Sequence, residues 1–278
     1  MPRSNGKEVN GVYKKVSCLG PEGSYSHIAA CAMCAGAQVL LCRTFRAAVQ
    51  AVISGRADAC VLPIENTLNG GVLQNMDMLQ AEDGLTAVAE YTLPIDHRLI
   101  TLAGADKSRI ERIYSHRQAL DQCAGFLQEH YPDAELVPER STAASVDCIK
   151  TPREAAIAGV QCAREGLDVS PECISDEKNN FTHFLLVTKG SLPEDFKSSR
   201  VYFALVCNHV PGALMQVLAI IYGCNLNMTK IESRPIKNEP GEYRFFIEVV
   251  GDYSSEGMKH ALAILRSSTR SFRLIGAY

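Results

Sequence analysis

Hydrophobic and polar positions follow two rhythms along the chain. Short runs of apolar and β-branched residues alternate with longer stretches whose apolar residues recur every three or four positions. The first rhythm predicts strands at 16–19, 59–63, 110–114, 135–138, 155–158 and 181–187, and the segment 99–103 opens a second subdomain. The second predicts helices at 24–34, 45–54, 72–80, 118–130, 142–150 and 160–166; in the first of these Tyr25, Ile28, Ala29 and Ala32 form one stripe. Gly20-Pro21-Glu22-Gly23 and Asn69-Gly70-Gly71 are turns, because glycine and proline supply the dihedrals that turns require. Strands interleaved with helices in this way announce an α/β fold. After a polar stretch at 191–200 the order changes to strand 201–207, helix 212–223, strands 227–234 and 243–250, helix 256–265 and strand 272–275. That order, β-α-β-β-α-β, is the ferredoxin-like α+β arrangement.

The expected organisation is an N-terminal tail at 1–15, a two-lobed region at 16–190, a linker at 191–200 and a small domain at 201–278. Lobe 1 takes about 16–95 and 172–190, and lobe 2 about 96–171. Two crossovers between lobes leave a cleft, the usual place for a small ligand. A unit as small as 201–278 buries little core alone, so pairing with a second copy is expected.

Composition narrows the classes. With 46% hydrophobic residues and 28 basic against 31 acidic side chains in 278, the chain carries no broad field to attract nucleic acid or an anionic membrane. The polar opening lacks the apolar core of a signal peptide, and no apolar run reaches the roughly 18 residues needed to span a bilayer. The 11 cysteines are odd in number and scattered through apolar segments; they read as reduced thiols of a cytoplasmic protein, not as a disulfide framework. Cys31 and Cys34 are spaced as C-x-x-C but have no second pair, so neither a metal nor a redox role is expected.

Candidate chemistry sits at strand ends. Asn180 and Phe181 lead into Thr182, which shares a strand face with Phe184 and Leu186, whereas His183, Leu185 and Val187 point the other way. Glu65-Asn66-Thr67 follows an apolar strand and precedes the glycine turn, presenting a carboxyl, an amide and a hydroxyl; a polar turn capped by Thr67 explains them equally well. Ser115 and Gln118 match a capping box, and Gln122 lies one turn beyond Gln118, where capping does not need it. Ser24 caps a glycine-led helix or offers N–H groups to a carboxylate.

The order and wording of these segments go further. Gly20-Pro21-Glu22-Gly23-Ser24-Tyr25-Ser26, Pro63-Ile64-Glu65-Asn66-Thr67, Tyr114-Ser115-His116 with Gln118 and Gln122-Cys123, Ser141-Thr142-Ala143-Ala144, and Asn180-Phe181-Thr182 closely resemble the prephenate dehydratase family. Gly212-Ala213-Leu214 and Glu232-Ser233-Arg234-Pro235 resemble its ACT regulatory domain. The resemblance implies a catalytic region of two lobes like type II periplasmic binding proteins. It also implies a cofactor-free and metal-free carbon–oxygen lyase that converts prephenate to phenylpyruvate, water and CO2 in phenylalanine biosynthesis. Thr182 would stand nearest the leaving hydroxyl, with Glu65, Asn66, Ser115 and Gln122 in the catalytic group. Ser24, Thr67, Gln118, Thr142, Asn180, Phe181 and His183 would bind substrate. L-Phenylalanine would act as effector between paired ACT domains, at Gly212, Ala213 and Leu214 and the facing Glu232, Ser233 and Arg234, in a homodimer or homotetramer.

Two departures stand out. His183 occupies a position where the family has arginine, which exchanges a permanent planar charge for a mostly neutral ring. Arg140 stands where some relatives are acidic, and it is a candidate to restore that charge. A prephenate decarboxylase, an arogenate dehydratase and a non-catalytic amino-acid sensor remain as alternatives on these grounds.

Overall fold

A computed structural model describes residues 12–237 and 239–278. In chain order the elements are β1 (Lys15–Leu19), α1 (Tyr25–Met33), β2 (Gln38–Cys42), α2 (Phe45–Ile53), β3 (Ala59–Asn66), β4 (Gly70–Gly71), α3 (Leu73–Ala81) and β5 (Leu85–Pro94). They continue with β6 (Arg98–Leu102), β7 (Arg112–His116), α4 (Arg117–Gln122), α5 (Ala124–His130), β8 (Glu135–Glu139), α6 (Thr142–Ser145), β9 (Glu154–Ala158), β10 (Leu167–Val169) and β11 (Phe181–Lys189). The last are β12 (Arg200–Val206), α7 (Ala213–Gly223), β13 (Asn227–Pro235), β14 (Tyr243–Val250), α8 (Glu256–Ser268) and β15 (Ser271–Ala277). No described helix is long and apolar enough to cross a membrane.

The described chain divides into two compact units, 12–70 with 91–184, and 71–90 with 185–278. The first contains two sheets. In one, β11, β3, β1 and β2 lie side by side, with β1 parallel to both its neighbours. Helices α1 and α2 lie against β1 and β3 and bury Ala29, Ala30, Ala48 and Val52 together with Val16, Cys18, Val61 and Leu62. The alanines let the helices approach closely, and the strands are apolar on both faces, as parallel strands covered by helices must be. The other sheet runs β10-β6-β9-β7-β8; β6 is antiparallel to β9 and β10, and β7 is parallel to β8 and β9. Leu99, Ile113, Leu120, Leu127, Ile157 and Ile174 form a core against it.

The second unit pairs its strands in the order β13-β14-β12-β15-β5, so the four strands of the β-α-β-β-α-β segment take the order of a ferredoxin-like sheet. Phe203, Leu205, Val217, Ile221, Ile247 and Leu265 lie in its core. Parallel pairing of β15 with β5 occurs at Gly276 opposite Ala87. A Cβ on Gly276 would lie 2.2 Å from the Ala87 carbonyl oxygen, so only glycine permits this approach.

The structure corrects several expectations. Of the tail expected at 1–15, residues 1–11 lie outside the described residues, and Lys15 already belongs to β1. Strands β2, β4, β5 and β10 are not among the expected elements, β4 forming on the glycine turn, and β6 forms where the second subdomain is expected to open. No residue of β2 is buried, and its sequence lacks a clean alternation. The single helix expected at 118–130 is two, broken at Cys123 with φ −118° and ψ 16°. The second is capped from a distance: Asp176 accepts from the Gly125 and Phe126 amides at 2.9 and 3.1 Å. The helix expected at 142–150 stops after Ser145 in a 3-10 turn, and that expected at 160–166 is only a 3-10 turn. Nor does Ser115 head a capping box. Ser115 is still within β7, and the cap of α4 is His116, whose Nδ1 accepts from the Gln118 amide.

Candidate active site

Thr182 enters the site through the pairing of two strand ends. At the end of β3 the Thr67 amide donates to the Phe181 carbonyl at 2.9 Å, and the Thr67 hydroxyl accepts from the Phe181 amide and donates to the Asn179 carbonyl. These bonds clamp the start of β11 beside β3. Asn66 and Thr182 meet on one face, and alternation along each strand turns Glu65 and His183 to the other.

The orientation of Asn66 is dictated by the backbone that follows it. Its Oδ1 accepts from the Leu68 and Asn69 amides, both at 3.2 Å, an Asx turn that excludes the flipped amide. Its Nδ2 therefore faces Asn180 Oδ1 at 2.7 Å, the Phe181 carbonyl at 3.1 Å and Thr182 Oγ1 at 3.0 Å. An amide nitrogen only donates, so Thr182 accepts in this contact and its own proton is not consumed by it. The same logic propagates outward. Because Asn180 Oδ1 is an acceptor, its Nδ2 donates to Gln122 Oε1 at 3.1 Å, and Gln122 Nε2 donates to Asn69 Oδ1 at 3.0 Å.

Burial makes this directionality costly to break. Asn66, Asn180 and Thr182 are 7%, 1% and 9% exposed, and a buried polar group that loses its partner costs about 1–3 kcal/mol. The group can thus present one hydroxyl donor, polarised by an amide on its oxygen, at a nearly dry strand end.

The remaining expected residues are placed as follows. Ser115 is fully buried on β7, and its hydroxyl donates to the Ile157 carbonyl at 2.6 Å. Ser24 is the cap of α1: its hydroxyl accepts from the His27 amide and donates to the Leu19 carbonyl. Gln118 opens α4, and Thr142 opens α6 behind its cap Ser141. His183 Nδ1 lies 2.9 Å from Thr92 Oγ1 on β5, and Glu65 is half-buried on β3. Arg140 is exposed.

Two residues outside the candidates named from the sequence belong to the group. His97 Nε2 is 3.0 Å from Gln122 Oε1, and its Nδ1 is 3.2 Å from the Tyr25 hydroxyl. His97 is 3% exposed, and burial lowers its pKa against smaller opposing effects of the Gln122 hydrogen bond and Asp96. Burial likewise raises the pKa of Tyr25. A signal for His97 did exist: it is in phase with the buried Ile95 and Leu99, where a polar residue requires a partner.

In the second unit Gly212, Ala213 and Leu214 line a cavity of about 300 Å³ with His209, Glu242 and Tyr243. Gly212 has φ +78°, a left-handed cap for α7 that favours glycine. Glu232, Ser233 and Arg234 lie on β13 and are not among the residues lining that cavity. Arg234 instead pairs with Asp77 of α3 at 2.8 Å.

Comparison with known proteins places this geometry in context. Residues 16–191 match the family model described as prephenate dehydratase. The chain is 33% identical over 281 residues, 98% of its length and 72% of the relative's, to the bifunctional chorismate mutase/prephenate dehydratase of Escherichia coli (strain K12). It is 31% identical over 272 residues to the prephenate dehydratase of Lactococcus lactis subsp. lactis, covering 95% of this chain and 97% of that one. A crystal structure of prephenate dehydratase in complex with L-Phe from Arthrobacter aurescens superimposes with a TM-score of 0.84 at 33% identity, covering 95% of this chain and 90% of that one.

Proposed function

The chain belongs to the prephenate dehydratase family, and we propose that it converts prephenate to phenylpyruvate, water and CO2, with Thr182 as the donor to the departing hydroxyl. In this carbon–oxygen lyase reaction the ring carboxylate leaves as CO2, and its bonding electrons enter the ring. The C4–O bond breaks as aromaticity is gained, and the hydroxyl takes a proton to leave as water. No redox change occurs, so no electron acceptor is required.

The observation that carries this reading is the direction of the Asn66–Thr182 hydrogen bond, 3.0 Å from Nδ2 to Oγ1. A threonine hydroxyl is a weak acid, but one whose oxygen already accepts a hydrogen bond is a better donor, and a dry site strengthens the interaction. Asn180 and Gln122 hold that amide in register, with Gln118 and Thr142 assigned to the surrounding substrate contacts.

The 201–278 segment is assigned as an ACT domain that binds L-phenylalanine as feedback inhibitor. Support comes from its ferredoxin-like strand order and from the cavity beside Gly212, Ala213 and Leu214. Because Glu232, Ser233 and Arg234 do not line that cavity in one chain, a complete effector site would take these residues from a second copy in a homodimer or larger assembly. We assign the protein to the cytoplasm.

The test is to mix the purified chain with prephenate at neutral pH and follow phenylpyruvate, with Thr182→Val and added phenylalanine as separate arms. Formation that requires the Thr182 hydroxyl and falls with phenylalanine supports the reading. A non-aromatic decarboxylated product, or binding without turnover, would overturn it.

A further inference from the structure

The hydrogen-bonded group that ends on Thr182 has a second end, and nothing in the reaction as described uses it. From Gln122 the chain of contacts continues to His97 and from there to Tyr25, whose hydroxyl also lies 3.3 Å from the Asp96 carbonyl. We propose that His97, with its tautomer set by Gln122 and its ring held by Tyr25, is a positioning residue of this site, locking Gln122 so that the Thr182 proton stays directed at substrate.

The argument is one of donors and acceptors. Gln122 Oε1 already accepts from Asn180 Nδ2, so the ring atom facing it at 3.0 Å must be Nε2–H. In the neutral ring Nδ1 then carries a lone pair and accepts from the Tyr25 hydroxyl at 3.2 Å, for whose single proton the Asp96 carbonyl at 3.3 Å competes. Both ends of the group are thereby anchored, one by the Leu68 and Asn69 amides on Asn66, the other by Tyr25 on His97.

If His97 loses its donor, Gln122 loses one of the three bonds that distinguish its amide oxygen from its nitrogen. A flipped Gln122 would set its NH2 against that of Asn180 and would lose Asn69 as an acceptor. Asn180 would turn in response, presenting its NH2 to Asn66 Nδ2 and displacing the amide that polarises Thr182. His97 touches no reacting atom in this account; its effect passes through Gln122, Asn180 and Asn66.

This inference rests on the dehydratase reading, which wild-type turnover of prephenate tests on its own. Three variants of the full chain then test His97. His97→Gln can still place an N–H at Gln122 and is expected to keep kcat within about fivefold, whereas His97→Asn is too short and should lose about 10- to 100-fold, as misplacement of a supporting group does. KM should move less than about threefold in both, because the loss is felt in the transition state. Tyr25→Phe removes one oxygen atom, guards against a His97 variant that fails to fold, and should lower kcat about 3- to 10-fold.

A readout independent of turnover is the 15N spectrum of histidine-labelled protein, with His97 assigned by its disappearance in His97→Gln. The expected wild-type signature is a protonated Nε2 and an unprotonated Nδ1, with the Nδ1 resonance moving in Tyr25→Phe as its hydrogen bond is lost while Nε2 stays protonated. Equal kcat in His97→Asn and wild type, a His97→Gln variant as impaired as His97→Asn, or an Nδ1–H tautomer in the wild type would each overturn the inference. A wild-type protein with the expected tautomer but no turnover would instead remove the dehydratase reading and, with it, the role given to His97.

Discussion

Asn66→Asp changes almost no volume and reverses one hydrogen-bonding direction. The Oδ1 that accepts from the Leu68 and Asn69 amides is preserved, so the turn after β3 should persist. The other atom changes from a nitrogen that donates to an oxygen that accepts, and it then faces three acceptors formerly within 2.7 to 3.1 Å, namely Asn180 Oδ1, the Phe181 carbonyl and Thr182 Oγ1. Thr182 can adapt without disturbing the Asn180–Gln122 bond, by rotating its own proton onto the new carboxylate. That rotation removes the donor from substrate. Stability should fall by about 2–4 kcal/mol, from one or two buried acceptors left without a partner. The rate should fall about 10²- to 10³-fold, the loss typical of one oriented donor.

The assay is phenylpyruvate formation at saturating prephenate, normalised to the folded fraction from circular dichroism, with Asn66→Ala alongside. Asn66→Ala removes the amide without capturing the proton, so it should be the more active of the two per folded molecule. An Asn66→Asp protein within threefold of wild type, or one clearly faster than Asn66→Ala, would refute the reasoning about direction.

Three further outcomes are expected. Thr182→Val should abolish most activity, by about 10²- to 10³-fold, with little loss of stability, because Asn66 Nδ2 retains Asn180 and Phe181 for its two hydrogens; a large fall in melting temperature would contradict this. Asp176→Ala should cost about 1 kcal/mol in urea denaturation, the usual worth of a helix cap, since it frees the Gly125 and Phe126 amides; an unchanged midpoint would contradict it. Glu248 is 8% exposed and accepts from Arg200, Thr229 and Tyr278 at 2.6, 2.5 and 2.7 Å. Burial alone would raise its pKa, but these donors together hold it below the ordinary carboxylate value. A depressed folded pKa means stability that is present above about pH 4.3, the unfolded value, and lost as pH falls through the folded one. Glu248→Ala should therefore cost about 2–3 kcal/mol at pH 7, less than a fully buried pair because Arg200 is partly exposed. The gap from wild type should narrow below pH 4; a gap independent of pH would count against this account.

Much of the architecture was legible in the pattern of residues. Apolar runs at 16–19, 59–63, 155–158 and 181–187 and the β-α-β-β-α-β order after residue 200 reappear as strands and helices close to their expected limits. Short-range physics suffices there, since burial period and turn chemistry are local properties. Errors fell where a distant group decides. The chain breaks at Cys123 into a helix that Asp176 caps from some fifty residues away, and no window around 118–130 contains that carboxylate. β5 is paired at Gly276, which permits a backbone approach that no residue near Ala87 announces.

The site divides in the same way. Residue types and their order single out Asn66, Thr182, Asn180 and Gln122 and link them to one family, because motif wording survives in sequence. Which atom donates to which does not. That Asn66 points its nitrogen at Thr182, that Ser115 spends its hydroxyl on Ile157, and that His97 and Tyr25 close the far end of the group are decided only once strands and helices far apart in sequence are brought within hydrogen-bonding distance. Hydrogen-bond direction is a property of neighbours in space, and only the tertiary structure decides which neighbours those are.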